Sequence, residues 1–327
     1  RDPSNANAWF TSGNGTAAAV SPAGSFALNA SGENAVAGIY PRGIYSHLIS
    51  SKHASVLSSG NFIATGKRTM VRVAGNQSQL RVPVRSYPLT HGGLHPVTAI
   101  DNSFTLKWRA TQPKWGYWQG EQVHYELRTS KDIIPRPGNS DRSWFGITEI
   151  FAGDQTPRSI GSPIVVFIDD PSMITNQTTL LAAYRDALHH AVQNWRNGTM
   201  TDLEAEFLDG FVRLEILTNR LEQMPRSLQQ KISHYRELED QIPVPKRAPG
   251  VLDAQPVDHP LLVRGNYKQE GDPVERQFLE VFSNRPYHAP SSGRRELAED
   301  IVSTVNTLKT RVLVNRLWAY VFGKGIV

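Results

Sequence analysis

Aromatic residues crowd one short loop of the sequence. The stretch KWGYWQGEQVHYEL (114–127) places Trp115, Tyr117 and Trp118 around Gly116. Aromatic rings stack on the C–H faces of sugars, while sugar hydroxyls need polar partners. The polar partners predicted for this loop lie on the preceding segment and are Arg85, Tyr87, His91 and His95. The loop therefore predicts carbohydrate binding, and core packing at the corner of a β-sandwich is the alternative.

Three basic side chains, His47, Lys52 and His53, lie close together in YSHLISSKH (45–53). Two histidines six residues apart lack the i, i+4 spacing of a helical zinc site. The pattern therefore favours a polar ligand-binding edge or a hydrogen-bonded loop anchor over a metal. Glu149, in the last predicted strand of the first half, is a candidate for holding a structural Ca²⁺. An ion pair or plain solvent exposure is the alternative for that carboxylate.

A basic group is predicted in the last quarter of the sequence. Its members are Arg264, Arg294, Arg311, Asn315 and Arg316. Guanidinium groups bind anions through paired hydrogen bonds, so these residues are candidates for an anion site. The alternative is that they join an extended arm to the helices through backbone carbonyls.

Catalytic and cofactor motifs are missing from the sequence. It contains no G-x-S-x-G, H-E-x-x-H or Walker pattern, and its first half is poor in the acids that glycoside hydrolysis requires. No catalytic residue is therefore predicted. The 327 residues include no cysteine, which excludes disulfides, thiolate metal sites and covalent haem attachment within the sequence.

The composition is typical of a globular protein with many turns. Hydrophobic residues make up 39% and charged residues 20%, with 21 prolines and 25 glycines. No apolar run approaches the ~20 residues that a membrane-spanning helix needs. The net charge of +5 is spread along the chain, so it favours solubility over nucleic-acid binding.

The first half, residues 1–165, shows the two-residue periodicity of antiparallel strands. In QVHYELRT (122–129) the apolar residues Val123, Tyr125 and Leu127 alternate with polar ones. Similar short runs lie at 69–75, 80–87, 103–110 and 143–151. Many short strands with Pro- and Gly-rich loops between them predict a β-sandwich of jelly-roll type, the module that would carry the carbohydrate site.

The periodicity changes to that of amphipathic helices over residues 175–245. Helices are predicted at 178–195, 201–221 and 227–242. Thr201 is the predicted N-cap of the second helix. The predicted fold class is therefore multidomain, with an N-terminal antiparallel β-sandwich followed by a mainly α-helical region.

Residues 246–327 are predicted to begin with an extended, proline-rich arm and to end with helices at 293–305 and 308–323. The last helix leads into a Gly-Lys-Gly turn and two more apolar residues. We expect this region to be the start of a larger C-terminal domain, with an exposed apolar face around Trp318, Phe322 and Val327.

Several stretches of the sequence resemble one family of domains. In the second half they are YRELEDQIPVPKRAPGVL (235–252), DHPLLVRGNYKQEGDPVERQFLEVFS (258–283) and SGRRELAEDIVSTVNTLKTRVLVNRLWAYVFGKGIV (292–327). These are similar to the paired planctomycete-specific domains of large exported proteins, which share an RG-(N/D) segment, an SGR segment and a VNR-x-W-x-x-x-FG pattern. Two stretches of the first half, 38–59 and 142–150, resemble the inserted middle region of some members, which looks like a galactose-binding-like jelly roll.

The resemblance implies an exported protein, periplasmic or at the cell surface, in which these domains accompany a cytochrome c domain of the same polypeptide. Haem would then belong to a domain outside these residues, because the sequence has no C-x-x-C-H. One functional hypothesis is a non-catalytic recognition module and scaffold that binds a polysaccharide or other glycan. The other is a part of an enzyme or electron-transfer assembly for polysaccharide degradation, whose active centre lies largely outside this sequence.

Overall fold

The computed structural model of the chain describes residues 9–16, 20–65, 69–84, 97–111, 118–133, 138–153, 157, 167–168, 170–248, 250, 256–266, 269–288 and 291–327. The chain divides into two compact units, Arg1–Ala248 and Pro249–Val327. Both units combine helices with antiparallel strands, so the fold is a mixed one.

Two antiparallel sheets form the centre of the first unit. One consists of β1 (Trp9–Gly13), β5 (Ser55–Ser59), β8 (Ser78–Arg81), β9 (Val97–Ile100) and β12 (Glu126–Thr129), in the order β1-β5-β12-β8-β9. The other consists of β4 (Ile44–Tyr45), β7 (Thr69–Asn76), β10 (Ser103–Ala110) and β13 (Trp144–Ala152), in the order β10-β7-β13-β4. Two separate pairs join β2 (Ser25–Leu28) to β3 (Val36–Tyr40) and β6 (Phe62–Ile63) to β11 (Gln122–Val123).

The two sheets share one hydrophobic core. Val73 and Phe145 enter it from the four-stranded sheet, and Leu57 and Leu127 enter it from the five-stranded sheet. All four side chains are fully buried, and burial of each such side chain contributes about 1.5–3 kcal/mol. Because alternate residues of each strand point into this core, the predicted antiparallel strands are confirmed.

The predicted strand at 122–129 differs from the structure in one respect. Its apolar residues are buried as predicted, but the run is divided between β11 and β12, and Glu126 and Arg128 are buried as well. Burial of the charges is possible because the Arg81 guanidinium donates to both oxygens of Glu126, at 2.9 and 3.0 Å, and Arg128 donates to the same carboxylate. Burial alone would raise the pKa of Glu126, but hydrogen bonds from His124 and Arg81 and the charges of both arginines lower it to about 2.

The β2–β3 hairpin lies on the outer face of the four-stranded sheet. Tyr40 of β3 packs there in a small cluster with Tyr45 and Trp144. The preceding residue, Ile39, points the other way and packs against helices in a second core. The two-residue period of β3 thus joins the sandwich to the helical layer.

Three helices complete the first unit: α1 (Gln177–Asn197), α2 (Asp202–Arg213) and α3 (Arg226–Gln241). Thr201 caps α2 as predicted, in a capping box with Glu204. The prediction that this helix continues to residue 221 is wrong, because it ends at Arg213 and Glu215 adopts a φ of 56°, outside the helical region. Leu214 is consequently exposed instead of extending the buried stripe.

The second unit holds two strands and two helices among its described residues. The strands β14 (His259–Leu262) and β15 (Glu270–Val274) pair antiparallel, so the predicted extended arm includes a short hairpin. The helices are α4 (Arg294–Val302) and α5 (Thr307–Phe322). Trp318, Phe322 and Val327 are exposed, which confirms the predicted apolar face. Among the described helices of either unit, none has the length and apolarity to cross a membrane.

Candidate functional site

The structure describes one residue of the predicted carbohydrate-binding loop. Trp118 is 4% exposed and belongs to the sandwich core, the location given by the core-packing alternative. The other predicted members lie outside the described residues: Trp115, Tyr117, Arg85, Tyr87, His91 and His95. Carbohydrate binding by this loop stays a prediction.

Glu149, the candidate calcium ligand, lies on β13 and forms an ion pair. Its carboxylate accepts a hydrogen bond from Arg72 at 3.0 Å, and Arg72 also donates to Glu206 of α2 at 2.7 Å. Of the alternatives for Glu149, the ion pair is therefore the one present in the structure. The described residues include no cluster of three or more His, Asp or Glu side chains arranged for a metal ion.

In the second unit, Asn315 of the predicted basic group contacts the backbone. Its Oδ1 accepts from the amides of Ile326 and Val327 at 2.6 and 3.1 Å, and its Nδ2 donates to the Val327 carbonyl at 3.4 Å. Arg264 lies in a turn with a φ of 52°, Arg294 is the first residue of α4, and Arg311 and Arg316 are exposed on α5. Asn315 thus holds the C-terminal turn, and an anion site stays a prediction.

A cleft in the first unit brings together residues that the sequence keeps far apart. We call it the His47 cleft, and its volume is about 330 Å³. Its lining includes Tyr40, His47, Phe104, Arg142, Trp144, Tyr235 and Glu239. Small residues of the β2–β3 hairpin, including Ala27 and Ala37, complete the wall and leave room for a ligand.

Aromatic rings form one side of the His47 cleft. The Trp144 indole stacks on the His47 imidazole, with ring centroids 3.8 Å apart and an interplanar angle of 25°. Tyr40 meets the same imidazole edge-on at 5.2 Å. These rings are held by the sheet and the hairpin behind them, so this side of the cleft is rigid.

His47 is a buried, neutral side chain in the wall of this cleft. Burial, with a smaller contribution from the Arg213 charge, lowers the pKa of His47 to about 3, so the imidazole is neutral near pH 7. Its Nε2 lies 2.9 Å from the Tyr40 hydroxyl, whereas Nδ1 is buried and has no partner among the described residues. An unpartnered buried polar atom costs roughly 1–3 kcal/mol, so Nδ1 is a local cost to the stability of the fold.

The other side of the cleft is an ion pair between the sandwich and α3. The Arg142 guanidinium donates to both oxygens of Glu239 at 2.7 and 2.8 Å, and the Ser50 hydroxyl donates to the same carboxylate at 2.5 Å. The Arg142 hydrogen bonds keep the pKa of Glu239 below its ordinary value. Arg142 and Glu239 are the two charged residues in the described lining, so its formal charges cancel.

Lys52 secures the loop behind this ion pair. Its Nζ donates to the carbonyl oxygens of Glu239 and Asp240, at 3.0 and 2.9 Å, near the end of α3. Of the two roles predicted for the 45–53 segment, Lys52 therefore has that of a loop anchor, whereas His47 lies in the cleft.

Sequence reasoning did not assign Tyr40, Arg142, Trp144, Tyr235 or Glu239 to a site. One feature of the sequence could have indicated these residues. They all lie in stretches that show the family resemblance, at 38–59, 142–150 and 235–252. Their convergence depends on the packing of α3 against the sandwich, which no local pattern reveals.

Part of the second unit matches a known family. Residues 293–327 match the PSD1 family, described as a protein of unknown function (DUF1553). The matched segment includes α4 and α5, and it agrees with the resemblance to an uncharacterised domain family over that part of the sequence. No curated protein matches the chain.

Solved structures similar to this chain are distant. TmCBM61 in complex with beta-1,4-galactotriose is 13% identical with a TM-score of 0.27, and the match covers 47% of this chain and 99% of that one. The Endo-D glycoside hydrolase domain from Streptococcus pneumoniae R6 is 8% identical with a TM-score of 0.25, covering 46% and 22%. A family two carbohydrate esterase from Cellvibrio japonicus is 11% identical with a TM-score of 0.22, covering 46% and 36%.

Proposed function

We propose that the first unit binds a neutral saccharide in the His47 cleft. The observation that carries the proposal is a cleft of about 330 Å³ that combines the half-exposed Phe104 ring with hydrogen-bonding side chains, and the formal charges of its described lining cancel. A charged ligand would enter without a counter-charge, whereas sugar hydroxyls can donate to and accept from the polar side chains of the lining.

The remaining lining suits the apolar faces of a sugar. Phe104 is 48% exposed and lines the cleft, so its ring is available for stacking. Tyr235 lies on α3 at the same cleft, and its hydroxyl donates to the Ile49 carbonyl at 2.8 Å, which fixes the position of the ring. A rigid aromatic surface beside hydrogen-bonding groups is the common design of small-molecule sites.

The ionisation of the cleft favours recognition over catalysis. Glu239 is the one carboxylate in the described lining, and Arg142 keeps it ionised. Glycoside hydrolysis uses two carboxyl groups, one of them protonated. The neutral imidazole of His47 bonds to Tyr40, whose pKa is raised by burial, so this pair is not an activated nucleophile.

Calorimetric titration of the purified chain with neutral polysaccharides tests the proposal. We expect at least one to bind, and we expect Phe104→Ala to weaken it about 2- to 10-fold, since an aromatic contact contributes ~0.5–1.5 kcal/mol. Phe26→Ala is the matched control, because Phe26 is 46% exposed and does not line this cleft. Binding that is insensitive to Phe104→Ala but lost in Trp115→Ala would assign the site to the aromatic loop instead.

We also propose that the sandwich is a galactose-binding-like jelly roll and that the protein is an exported recognition module of planctomycetes. The resemblance of residues 38–59 and 142–150 supports the first part, and the resemblance of residues 235–252, 258–283 and 292–327 to the planctomycete-specific domains of exported proteins supports the second. Cell fractionation tests export, and finding the protein in the cytoplasm alone would contradict it.

A further inference from the structure

A second cleft of about 330 Å³ lies beside the His47 cleft. Tyr40 and Phe104 line both clefts and therefore form the ridge between them. We call the second one the Arg213 cleft, and its other lining residues include Thr105, Leu106, Glu206, Asp209, Gly210 and Arg213. Both clefts belong to the first unit, where the outer face of the four-stranded sheet meets the β2–β3 hairpin and the helices.

A β-bulge places the shared phenylalanine. Ser103 of β10 pairs with Gly75 of β7, and the next pair is Lys107 with Val73. Between these pairs β10 advances by four residues and β7 by only two. The additional residues cannot continue the ladder, so a bulge changes the direction in which their side chains point. Phe104, which falls within this bulge, is half exposed at the ridge.

The charges of the Arg213 cleft are paired, as they are in the His47 cleft. Arg213 Nε donates to Asp209 Oδ2 at 2.6 Å, and Asp209 Oδ1 accepts from the Ile39 amide at 2.8 Å. Glu206 accepts from Arg72 at 2.7 Å. Each charged side chain of the lining therefore has a partner of opposite charge, although Glu206 shares Arg72 with Glu149.

A glycine keeps the Arg213 side chain next to the ridge. A Cβ atom at Gly38 would lie 2.5 Å from Arg213 Nη2 and 2.9 Å from the Tyr40 hydroxyl. Only a residue without a side chain leaves room for both groups at this point. In contrast, a Cβ atom at Gly210 of α2 would meet nothing within 4 Å, so that position faces the open space of the cleft.

We propose that the Arg213 cleft is a second saccharide subsite and that the ligand is a neutral oligosaccharide that crosses the Tyr40–Phe104 ridge. This inference rests on the proposed function of the His47 cleft. Each cleft is at the lower end of the range of about 300–1,000 Å³ for small-molecule sites. Two adjacent clefts of this size, with paired charges and the half-exposed Phe104 ring between them, fit consecutive units of one chain.

Chain-length dependence is the expected property. An oligosaccharide that occupies both clefts gains contacts without a second loss of translational freedom. We therefore expect the dissociation constant to fall by at least about tenfold between one sugar unit and the shortest oligosaccharide that spans the ridge. Further units beyond the two clefts should add less.

The experiment titrates the full chain with glucose, galactose, xylose and mannose and with their β-1,4-linked oligomers of two to four units. Gly210→Leu places a bulky side chain in the Arg213 cleft, and Gly210 does not line the His47 cleft. Gly210→Ala is the matched control, with a small side chain at the same position. We expect Gly210→Leu to bind the monosaccharide within about twofold of the unaltered protein and to lose the gain with chain length. Gly210→Ala should keep that gain.

Three results would overturn the inference. Equal affinity for monomer and oligomers in the unaltered protein removes the second subsite and leaves the proposed function intact. A chain-length gain that persists in Gly210→Leu does the same, because the gain then comes from another surface. If no saccharide of any length binds, the proposed function itself fails.

Discussion

Replacement of Glu239 by glutamine should weaken the contact between α3 and the sandwich. The amide keeps the shape of the carboxylate and its bond from Ser50 but loses the charge that pairs with Arg142. A hydrogen bond to a charged group contributes roughly 1.5–3 kcal/mol, and the 42% exposure of the Arg142 side chain reduces this through solvent screening. We expect Glu239→Gln to lower the free energy of unfolding by about 2 kcal/mol, which corresponds to about 4–8 °C in Tm for a unit of this size.

The same pair gives the stability a defined dependence on pH. Arg142 holds the pKa of Glu239 below its ordinary value of 4.5, so the folded state binds fewer protons than the unfolded state in that region. The contribution of the pair is complete above the ordinary pKa and is lost as the pH falls through the lower pKa of the folded state. The stability difference between the unaltered protein and Glu239→Gln should therefore be constant near pH 7 and decrease below pH 4.5.

Urea unfolding followed by tryptophan fluorescence measures this difference, since Trp144 lines the cleft beside the ion pair. Glu237→Gln is the matched control, because Glu237 lies on the same helix with a side chain that is 71% exposed and 3.6 Å from His234. Equal stability of the two variants at pH 7, or a difference that does not change with pH, would refute the assigned role of the ion pair.

Three further predictions concern other contacts. Glu126→Gln removes the charge of the buried carboxylate that accepts from Arg81, so it should destabilise the sandwich at neutral pH. Unfolding followed by circular dichroism should show the stability difference between this variant and the unaltered protein disappear between pH 4.5 and about 2, as Glu126 of the unaltered protein becomes protonated. Thr201→Ala should lower the free energy of unfolding by about 1 kcal/mol through loss of the α2 cap, measured by urea unfolding, and an unchanged midpoint would contradict this. Asn315→Ala should speed hydrogen exchange of the amides at 326 and 327 about fivefold, since each loses a net ~1 kcal/mol bond; unchanged exchange rates would show that Asn315 does not hold the turn.

The sequence by itself determined the local elements of this protein. Alternation at Val123, Tyr125 and Leu127 identified residues that enter the sandwich core, and Thr201 marked the start of α2 correctly. These features depend on periods of two or 3.6 residues and on capping within one turn, so the information lies in neighbouring residues.

Tertiary structure decided where charges could be buried and where a site could form. Glu126 and Arg128 occupy the polar positions of an alternating strand, which predicts that they face solvent. Both are buried, because Arg81 from the neighbouring strand pairs with the Glu126 carboxylate. Arg142 and Glu239 are 97 residues apart, and nothing in their local sequence pairs them. Their contact exists because α3 packs against the sandwich, and the same packing encloses the His47 cleft; interactions of this kind depend on the whole chain, which is why a sequence pattern cannot reveal them.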